Sequence, residues 1–485
     1  MVIGIKSYGA YLPKYGVSRV EIAAAWDFPS IPGSKVFANG DEDSLTMACD
    51  AGLDCLEGID LSTIDGVFFA STTPPYSEKE NASVLAVMLD LREDIICADI
   101  CNSMRSATAA LARAYDTIKA GSAKNILVVA ADMRAPVPES MFEYTMGDGA
   151  AALLVGEGDD VAVEIKAYAS VSDNVVGPWR RSTDKYVRDF ELKHEAKFGY
   201  SDNMAKAVKK LAKENSIDLK KAAKGVLFGN DPRSMGRLGK ALGFSGRAVN
   251  DGLFMETGNT GVPYVFMLLI DALRRVRSGE EIVMAGYGDG ADAFDMAVTS
   301  KDAVMALKKA HRGVASYKAT IMKARNYTQY LASRKLLEKE RFIRRSSPVT
   351  IWREEASILR MHGGKCKACG AIQYGFPKLS GCFECHAIAS QEEYKLQKTG
   401  KIFTYTLDHL VGGEYYDTPV PRCVIDLEGG GRVMLDMTDC DPKDVKIGMD
   451  VEMTMRLSHE GAGFKNYYWK CRPVRAAVVQ EKEVD

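Results

Sequence analysis

Two tight cysteine pairs, Cys366-Lys-Ala-Cys369 and Cys382-Phe-Glu-Cys385, carry the most specific chemistry in this chain. Knuckles of this kind, twelve residues apart, offer four thiolates, enough to close a tetrahedral shell around a structural zinc ion. A redox reading needs one CxxC at the start of a helix, and paired knuckles beside Gly364, Gly370 and Gly381 fit that poorly. His386 adjoins the set, but the four cysteines already complete it. Elsewhere, groups that titrate near neutrality are scarce: the chain has six histidines, and the first is His194.

A length of 485 residues implies two or three domains with substantial cores. Hydrophobic residues make up 46% of the chain, charged residues 26%, and the net charge is −2. These are the values of an ordinary soluble protein, without the basic excess that would argue for nucleic acid. Met1-Val-Ile-Gly-Ile-Lys-Ser-Tyr-Gly reads as a first strand rather than a leader, and no apolar run has the length of a membrane span. The eleven cysteines suit a reducing compartment, so the expected location is cytoplasmic, away from membranes.

Between residues 1 and 300, buried-strand runs alternate with helical periods: Ile64–Ala70, Asp94–Asp99, Asn125–Ala130, Gly225–Gly229 and Glu281–Gly286. The alternation predicts α/β layers. Gly147-Asp-Gly and Gly288-Asp-Gly each lead into an apolar strand, as matching hairpins of a duplicated fold would. Residues 301–350 read as a long polar helix, about Ala303 to Lys339, and a linker broken at Ser346-Ser-Pro. Residues 351–395 hold the cysteine knuckles. Residues 396–485 hold five alternating runs, Gly400–Leu407, Pro421–Leu427, Gly431–Asp436, Asp450–Arg456 and Tyr467–Cys471, which predict a small all-β barrel of the OB type. No basic, aromatic face for oligonucleotides is evident on it.

The stretch from Cys97 through Met104 to Leu111 reads as a strand entering an Ala-rich helix, followed by Gly121, the strand Ile126–Val129 and Ala131-Asp132. With Trp179-Arg-Arg181, the loop from Phe190 to Tyr200, Gly258-Asn-Thr260 and Gly288-Asp-Gly290, this resembles the thiolase superfamily. The similarity is to the ketoacyl synthase III branch and the archaeal-type hydroxymethylglutaryl-CoA synthases. It implies a duplicated five-layered α/β fold. Residues from about Ile358 to Val474 resemble the zinc-ribbon and OB-fold proteins that accompany such enzymes, which implies a docking role near a CoA-linked substrate.

Carried over residue by residue, the resemblance places Met104 in the slot of the nucleophilic cysteine. Thr72, in Ser71-Thr-Thr-Pro-Pro-Tyr76, takes the glutamate position, and Asn230, in Phe228-Gly-Asn-Asp-Pro232, takes the histidine position. Asn259 keeps its family identity. A thioether has no proton to lose and cannot form an acyl thioester. Cys101 and Ser103 adjoin the slot, as a core thiol and a helix cap. The two amides Asn230 and Asn259 could still stabilise a thioester enolate. Base candidates are His194, Tyr76, Asp231 and Tyr144. Trp179, Arg180, Arg181 and Tyr76 are the candidate CoA-binding residues, and the arginine pair is either an anion clamp or a solvated loop. The implied activity is C–C bond making or breaking beside a CoA thioester by aldol chemistry, with CoA entering as part of the substrate. Alternatives are a silent CoA-binding scaffold for an active thiolase, and a true synthase using an unrecognised nucleophile such as Cys101. The resemblance also implies a homodimer, and it allows a further thiolase as partner.

Overall fold

The computed structural model describes residues 2–29, 31–246, 248–249, 252–337, 345–376, 381–411 and 418–475. Nine strands form one mixed sheet: β1 (Ile3–Tyr11), β2 (Gly66–Ser71), β3 (Ile96–Cys101), β4 (Asn125–Asp132), β5 (Gly149–Glu157), β6 (Val163–Ser172), β7 (Lys224–Leu227), β8 (Glu281–Tyr287) and β9 (Gly290–Val298). Their order is β3-β2-β4-β5-β1-β6-β9-β8-β7. The sequence from β3 to β1 is repeated by the sequence from β7 to β6, with Val249 bridging Gly225 in the remaining place. Only Gly4 and Ile5 pair across the join, with Glu164 and Val163. The chain is thus a duplication of two half-sheets.

The two Gly-Asp-Gly turns occupy equivalent places, each opening the last strand of its half, β5 and β9. The second closes a tight hairpin, with Tyr287 opposite Ala291, and the first ends a longer connection between Asp132 and Gly149. Helices α1 (Ser44–Cys55) and α2 (Asn81–Met88) cover the first half, and α3 (Ser106–Lys119) follows β3. Beyond them lie α4 (Asp202–Asn215), α5 (Pro232–Leu242) and α6 (Tyr264–Leu273). Both α3 and α6 touch strands of the two halves, whereas α1 packs on β1, β4 and β5, and α4 on β6, β8 and β9. Five layers result, and α6 at their centre is buried along its whole length, as its apolar sequence requires.

The long helix expected over 303–339 is not formed. Its residues make three short helices, α7 (Lys301–Ala310), α8 (Gly313–Lys318) and α9 (Tyr327–Ser333), and its last residues, 338–339, lie outside the described ones. The chain leaves α7 at His311, whose ring is buried with Nε2 2.9 Å from Ser7 Oγ and Nδ1 2.8 Å from the Asp54 carbonyl. Gly313, at φ +64°, then starts α8. A straight polar helix could not bury that ring, and tertiary burial outweighs the helix propensity of the Lys, Arg and Ala residues.

The C-terminal part begins with α10 (Pro348–Arg353) and α11 (Glu355–Ile358). A three-stranded sheet, β11-β10-β12, follows from β10 (His362–Cys366), β11 (Ile372–Tyr374) and β12 (Gln391–Lys395). The barrel strands are β13 (Thr399–Asp408), β14 (Val420–Leu427), β15 (Arg432–Asp436), β16 (Asp450–Gly461) and β17 (Phe464–Pro473), in the order β15-β14-β13-β16-β17. A bridge between Met437 and Cys471 closes it. All five runs expected from the sequence are strands of this barrel; residues 476–485 lie outside the described ones.

The barrel sits on α1 through buried charge. Asp43 caps α1 by accepting from Thr46 N at 3.0 Å, and its other oxygen accepts from the Tyr467 hydroxyl at 2.8 Å. Arg456 is fully buried between Glu42 and Asp439, 2.7 Å from the latter. Lys470 pairs with Asp41 at 2.9 Å, and Arg472 with Asp50 at 3.1 Å and Glu452 at 2.8 Å. Asp90, after α2, holds the ribbon through Lys395 at 2.6 Å, His362 at 3.0 Å and Arg360 at 3.3 Å.

Breaking one buried partner leaves the others uncompensated. Arg456→Met is expected to cost about 3–5 kcal/mol, read as a fall in the urea midpoint. A second prediction concerns pH. Burial works to raise the Asp90 pKa, but His362 and Lys395 outweigh it and hold the carboxyl down at about 2. That lies below its unfolded value, so the stabilisation is present above about pH 4 and is lost as pH falls through about 2. Between about pH 5 and pH 2 the thermal midpoint of the wild type should therefore fall more steeply than that of Asp90→Asn.

Candidate active site

Strand β3 ends at Cys101, the chain turns through Asn102 at φ +73°, and α3 starts at Ser106. Met104 lies in this turn, half-buried against the core. The turn is clamped to the β8–β9 hairpin: Ser103 Oγ donates to the Gly288 carbonyl at 3.1 Å, and Arg105 pairs with Asp292 on β9 at 3.1 Å. A Cβ on Gly288, which has φ +156°, would lie 2.6 Å from Arg105 N and 2.9 Å from Met104 N, so only glycine fits. Ser103 thus serves as a tie between loops. Cys101 is half-buried, and burial, with Asp99 and Asp132 nearby, pushes its thiol up to about 12. It is a poor source of thiolate.

Asp132, at the end of β4, organises the neighbouring loops. It is fully buried and accepts hydrogen bonds from Thr72 N at 2.7 Å, Thr72 Oγ1 at 2.9 Å, Ser71 Oγ and Thr73 Oγ1 at 3.1 Å, and Val262 N at 2.9 Å. The Thr72 hydroxyl is therefore held by Asp132, and it is no carboxylic acid in any case. The sequence showed Asp132 only as the end of a strand frame; its role as a hub is tertiary.

Asn230 and Asn259 come together. Asn259 Oδ1 accepts from Gly261 N at 2.9 Å, and its Nδ2 donates to the Gly229 carbonyl at 3.2 Å and reaches Asn230 Oδ1 at 3.5 Å. Asn259 is buried and Asn230 is exposed, so the pair leads from the core to the surface. Tyr200, from the 190–200 loop, donates to the Phe228 carbonyl at 2.7 Å and supports the strand end that leads to Asn230.

Of the four base candidates, Asp231 follows Asn230 directly in the chain, and the side chains of all four have other surroundings. His194 is exposed, its ring 4.9 Å from that of Phe198. Asp231 caps α5, accepting from Arg233 N at 2.8 Å and Ser234 N at 3.0 Å. Tyr144 is buried in a separate aromatic cluster with Tyr15, Phe37 and Tyr330. Tyr76 faces the barrel: its hydroxyl accepts from Lys465 N at 3.1 Å, and its ring lies 5.9 Å from that of Phe464.

Among the candidate CoA-binding residues, Trp179 is exposed and exchanges backbone hydrogen bonds with Arg188. Arg180 donates to the Thr72 carbonyl at 2.8 Å. Arg181 donates to Asp184 through Nε and Nη2, both at 2.9 Å, and these bonds hold the Asp184 carboxyl well below its usual range. Arg181 is thus part of an internal ion pair, whereas Arg180 lies against the Thr72 turn.

The four cysteine sulfurs lie within 4.8 Å of one another. Cys366 and Cys385 are 3.7 Å apart, and Cys369 and Cys382 3.5 Å. Sulfurs placed tetrahedrally at about 2.3 Å from a zinc ion would be about 3.8 Å apart, so the donor set fits such an ion.

Comparison with known proteins agrees with this architecture. Residues 98–174 match the family described as 3-oxoacyl-[acyl-carrier-protein] synthase III, and residues 393–456 match the ChsH2 C-terminal OB-fold domain. The hydroxymethylglutaryl-CoA synthase of Methanocaldococcus jannaschii is 30% identical over 314 residues, 61% of this chain and 89% of that protein. That of Methanopyrus kandleri is 28% identical over 315 residues, 62% of this chain and 88% of that protein. Among solved structures, MvaS in complex with 3-hydroxy-3-methylglutaryl coenzyme A aligns with a TM-score of 0.62 at 18% identity, covering 71% of this chain and 94% of that one. The chain belongs to the hydroxymethylglutaryl-CoA synthase family, with an OB-fold domain added at its C-terminal end.

Proposed function

We propose that this protein makes or cleaves a C–C bond beside a CoA thioester by aldol or retro-aldol chemistry, without a covalent acyl-cysteine. The observation that carries this reading is the contact between the Asn230 and Asn259 amides, and the resemblance that puts Met104 in the nucleophile slot supports it. In the cleavage direction a base takes the proton of a β-hydroxyl, and the Cα–Cβ bond breaks to leave a carbonyl product. The electron pair becomes a thioester enolate, and a proton returns to Cα. Amide donors aimed at the enolate oxygen lower that barrier without first acylating the protein. The thiol of Cys101, pushed up to about 12, argues against acyl transfer through it.

The CoA portion is assigned to the face that carries Arg180, Arg181 and Trp179. The knuckles are assigned a structural zinc held by Cys366, Cys369, Cys382 and Cys385, which would fix the ribbon against the Asp90 contacts. Strand β3 forms an open edge of the nine-stranded sheet, and its residues are less buried than those of β2 and β4. An unpaired edge of this kind favours a homodimer formed by strand pairing.

Single substitutions Asn230→Ala and Asn259→Ala are expected to lower kcat about 10²–10³-fold, with acyl-CoA affinity by calorimetry largely retained. Cleavage at the wild-type rate in either variant would remove that residue from the reaction. Mass spectrometry after incubation with acyl-CoAs should find no stable cysteine adduct, and acylation of Cys101 would overturn the non-covalent reading. Metal analysis should give one zinc per chain, lost in Cys385→Ala together with thermal stability of the ribbon. A Cys385→Ala protein that keeps both excludes the assignment.

A further inference from the structure

Loop 190–200 buries a carboxylate for which the aldol reading has so far found no use. Glu195 opens a π-helical turn, Glu195–Ser201, a geometry frequent at functional sites. It is 3% exposed, and the Tyr287 hydroxyl lies close to its side chain, where it acts to lower the carboxyl pKa. The Oε1 atom is buried and has no hydrogen-bond partner among the described residues. A buried carboxylate oxygen left unpaired is costly, and such costs concentrate at working sites.

Its surroundings connect it to the site already described. Tyr287 ends β8, and the next residue, Gly288, presses on the amides of Met104 and Arg105. The Tyr287 ring lies 5.4 Å from that of Tyr200, edge to face, and Tyr200 supports the Phe228 carbonyl two residues before Asn230. Glu195 is thus linked through Tyr287 and Gly288 to the Met104 turn, and through Tyr287 and Tyr200 to the Phe228 carbonyl before Asn230. Two glycines complete the setting. A Cβ on Gly199 would fall 2.5 Å from the Tyr287 hydroxyl, so a side chain there would displace it. A Cβ on Gly177 would stand 3.9 Å from both Glu195 Oε1 and the Tyr287 hydroxyl. Gly177 is half-buried and puts no side-chain atom beside these two oxygens.

We propose that Glu195 is the acid–base residue of this aldol site, with Tyr287 positioning it, in place of the groups absent at Thr72 and Asn230. The assignment rests on the aldol reading. In cleavage, Glu195 carboxylate takes the proton of the β-hydroxyl, the Cα–Cβ electrons pass to the thioester, and the carbonyl product leaves. The Glu195 acid then returns the same proton to Cα of the enolate. No oxidant, reductant or further reactant is needed. Burial raises the Glu195 pKa and the Tyr287 hydrogen bond draws it partly back, which suits a group that must both take and return a proton. Tyr287 and Tyr200 are the titratable groups against it; Asp173 and Asp289 act on Tyr287, and Asp231 and Arg237 on Tyr200.

The test is exchange of α-protons from acetyl-CoA to octanoyl-CoA in heavy water, followed by NMR on the full-length protein. The wild type is expected to exchange at least one member of the panel. Glu195→Gln should exchange about 10²-fold or more slowly, with thioester affinity by calorimetry within about twofold. Tyr287→Phe should keep exchange but move the acidic limb of its pH profile upward, because the bond that lowers the Glu195 pKa is gone. That shift is read in a protein that retains the carboxylate, so it does not depend on Glu195→Gln folding. Wild-type exchange in Glu195→Gln, or an unmoved limb in Tyr287→Phe, overturns the assignment while the aldol reading stands. A wild type that exchanges none of the panel overturns the aldol reading itself.

Discussion

The arrangement of the whole molecule depends on one buried contact, the acidic run Asp41–Asp50 of the α/β unit against the basic face of β16 and β17. Asp41, Glu42, Asp43 and Asp50 meet Lys470, Arg456, Lys465 and Arg472 where water is excluded. Removing that many ions from water is expensive, and the cost is offset only if each finds its partner in one geometry. The consequence is orientation. A greasy interface would tolerate sliding, whereas this one admits a single docked position, fixed at one end by the cap of α1 and at the other by Asp90, after α2, gripping Lys395 of the ribbon. Arg312 extends the network by pairing with Glu452 at 2.6 Å, so the segment after β9 is tied to the barrel as well.

With the barrel held there, a cleft of about 200 Å³ opens between it and α2, lined by Tyr76, Lys79, Phe464 and Lys465 among others. Tyr76 belongs to the turn that begins at Ser71 and is held by Asp132, and Asp132 also fixes Val262, three residues beyond Asn259. One carboxylate thus ties the loop facing the added domain to the loop bearing the amide donor. On the proposed reading, Met104, Thr72 and Asn230 stand at three positions that carry reacting groups in the family, and none of these side chains can act as nucleophile, acid or base there.

Several features were legible in the chain for simple physical reasons. The spacing of the four cysteines declares a tetrahedral donor set, because knuckle geometry is local. The five barrel strands were readable from alternation, since a half-buried strand must alternate. The duplicated Gly-Asp-Gly turns were readable because each opens a strand at the same place in its half-sheet. Other features were not legible. The polar segment after β9 has the composition of a long helix and is broken, because His311 is drawn into the core by Ser7 and Asp54. His194, a base candidate in the sequence, is exposed beside Phe198, while the neighbouring Glu195 is turned inward, a difference in burial that no local pattern encodes.

By itself the sequence determined the fold class, the cysteine knuckles and the barrel, because periodicity and spacing are properties of the chain, and the assignment of Met104, Thr72 and Asn230 to the cysteine, glutamate and histidine positions is what the resemblance implies. The tertiary structure decided which surviving groups meet: Asn230 with Asn259, Thr72 with Asp132, Glu195 with Tyr287. Those partners lie 29, 60 and about 90 positions apart, and burial and hydrogen-bond geometry across packed elements, which no local pattern encodes, bring them together.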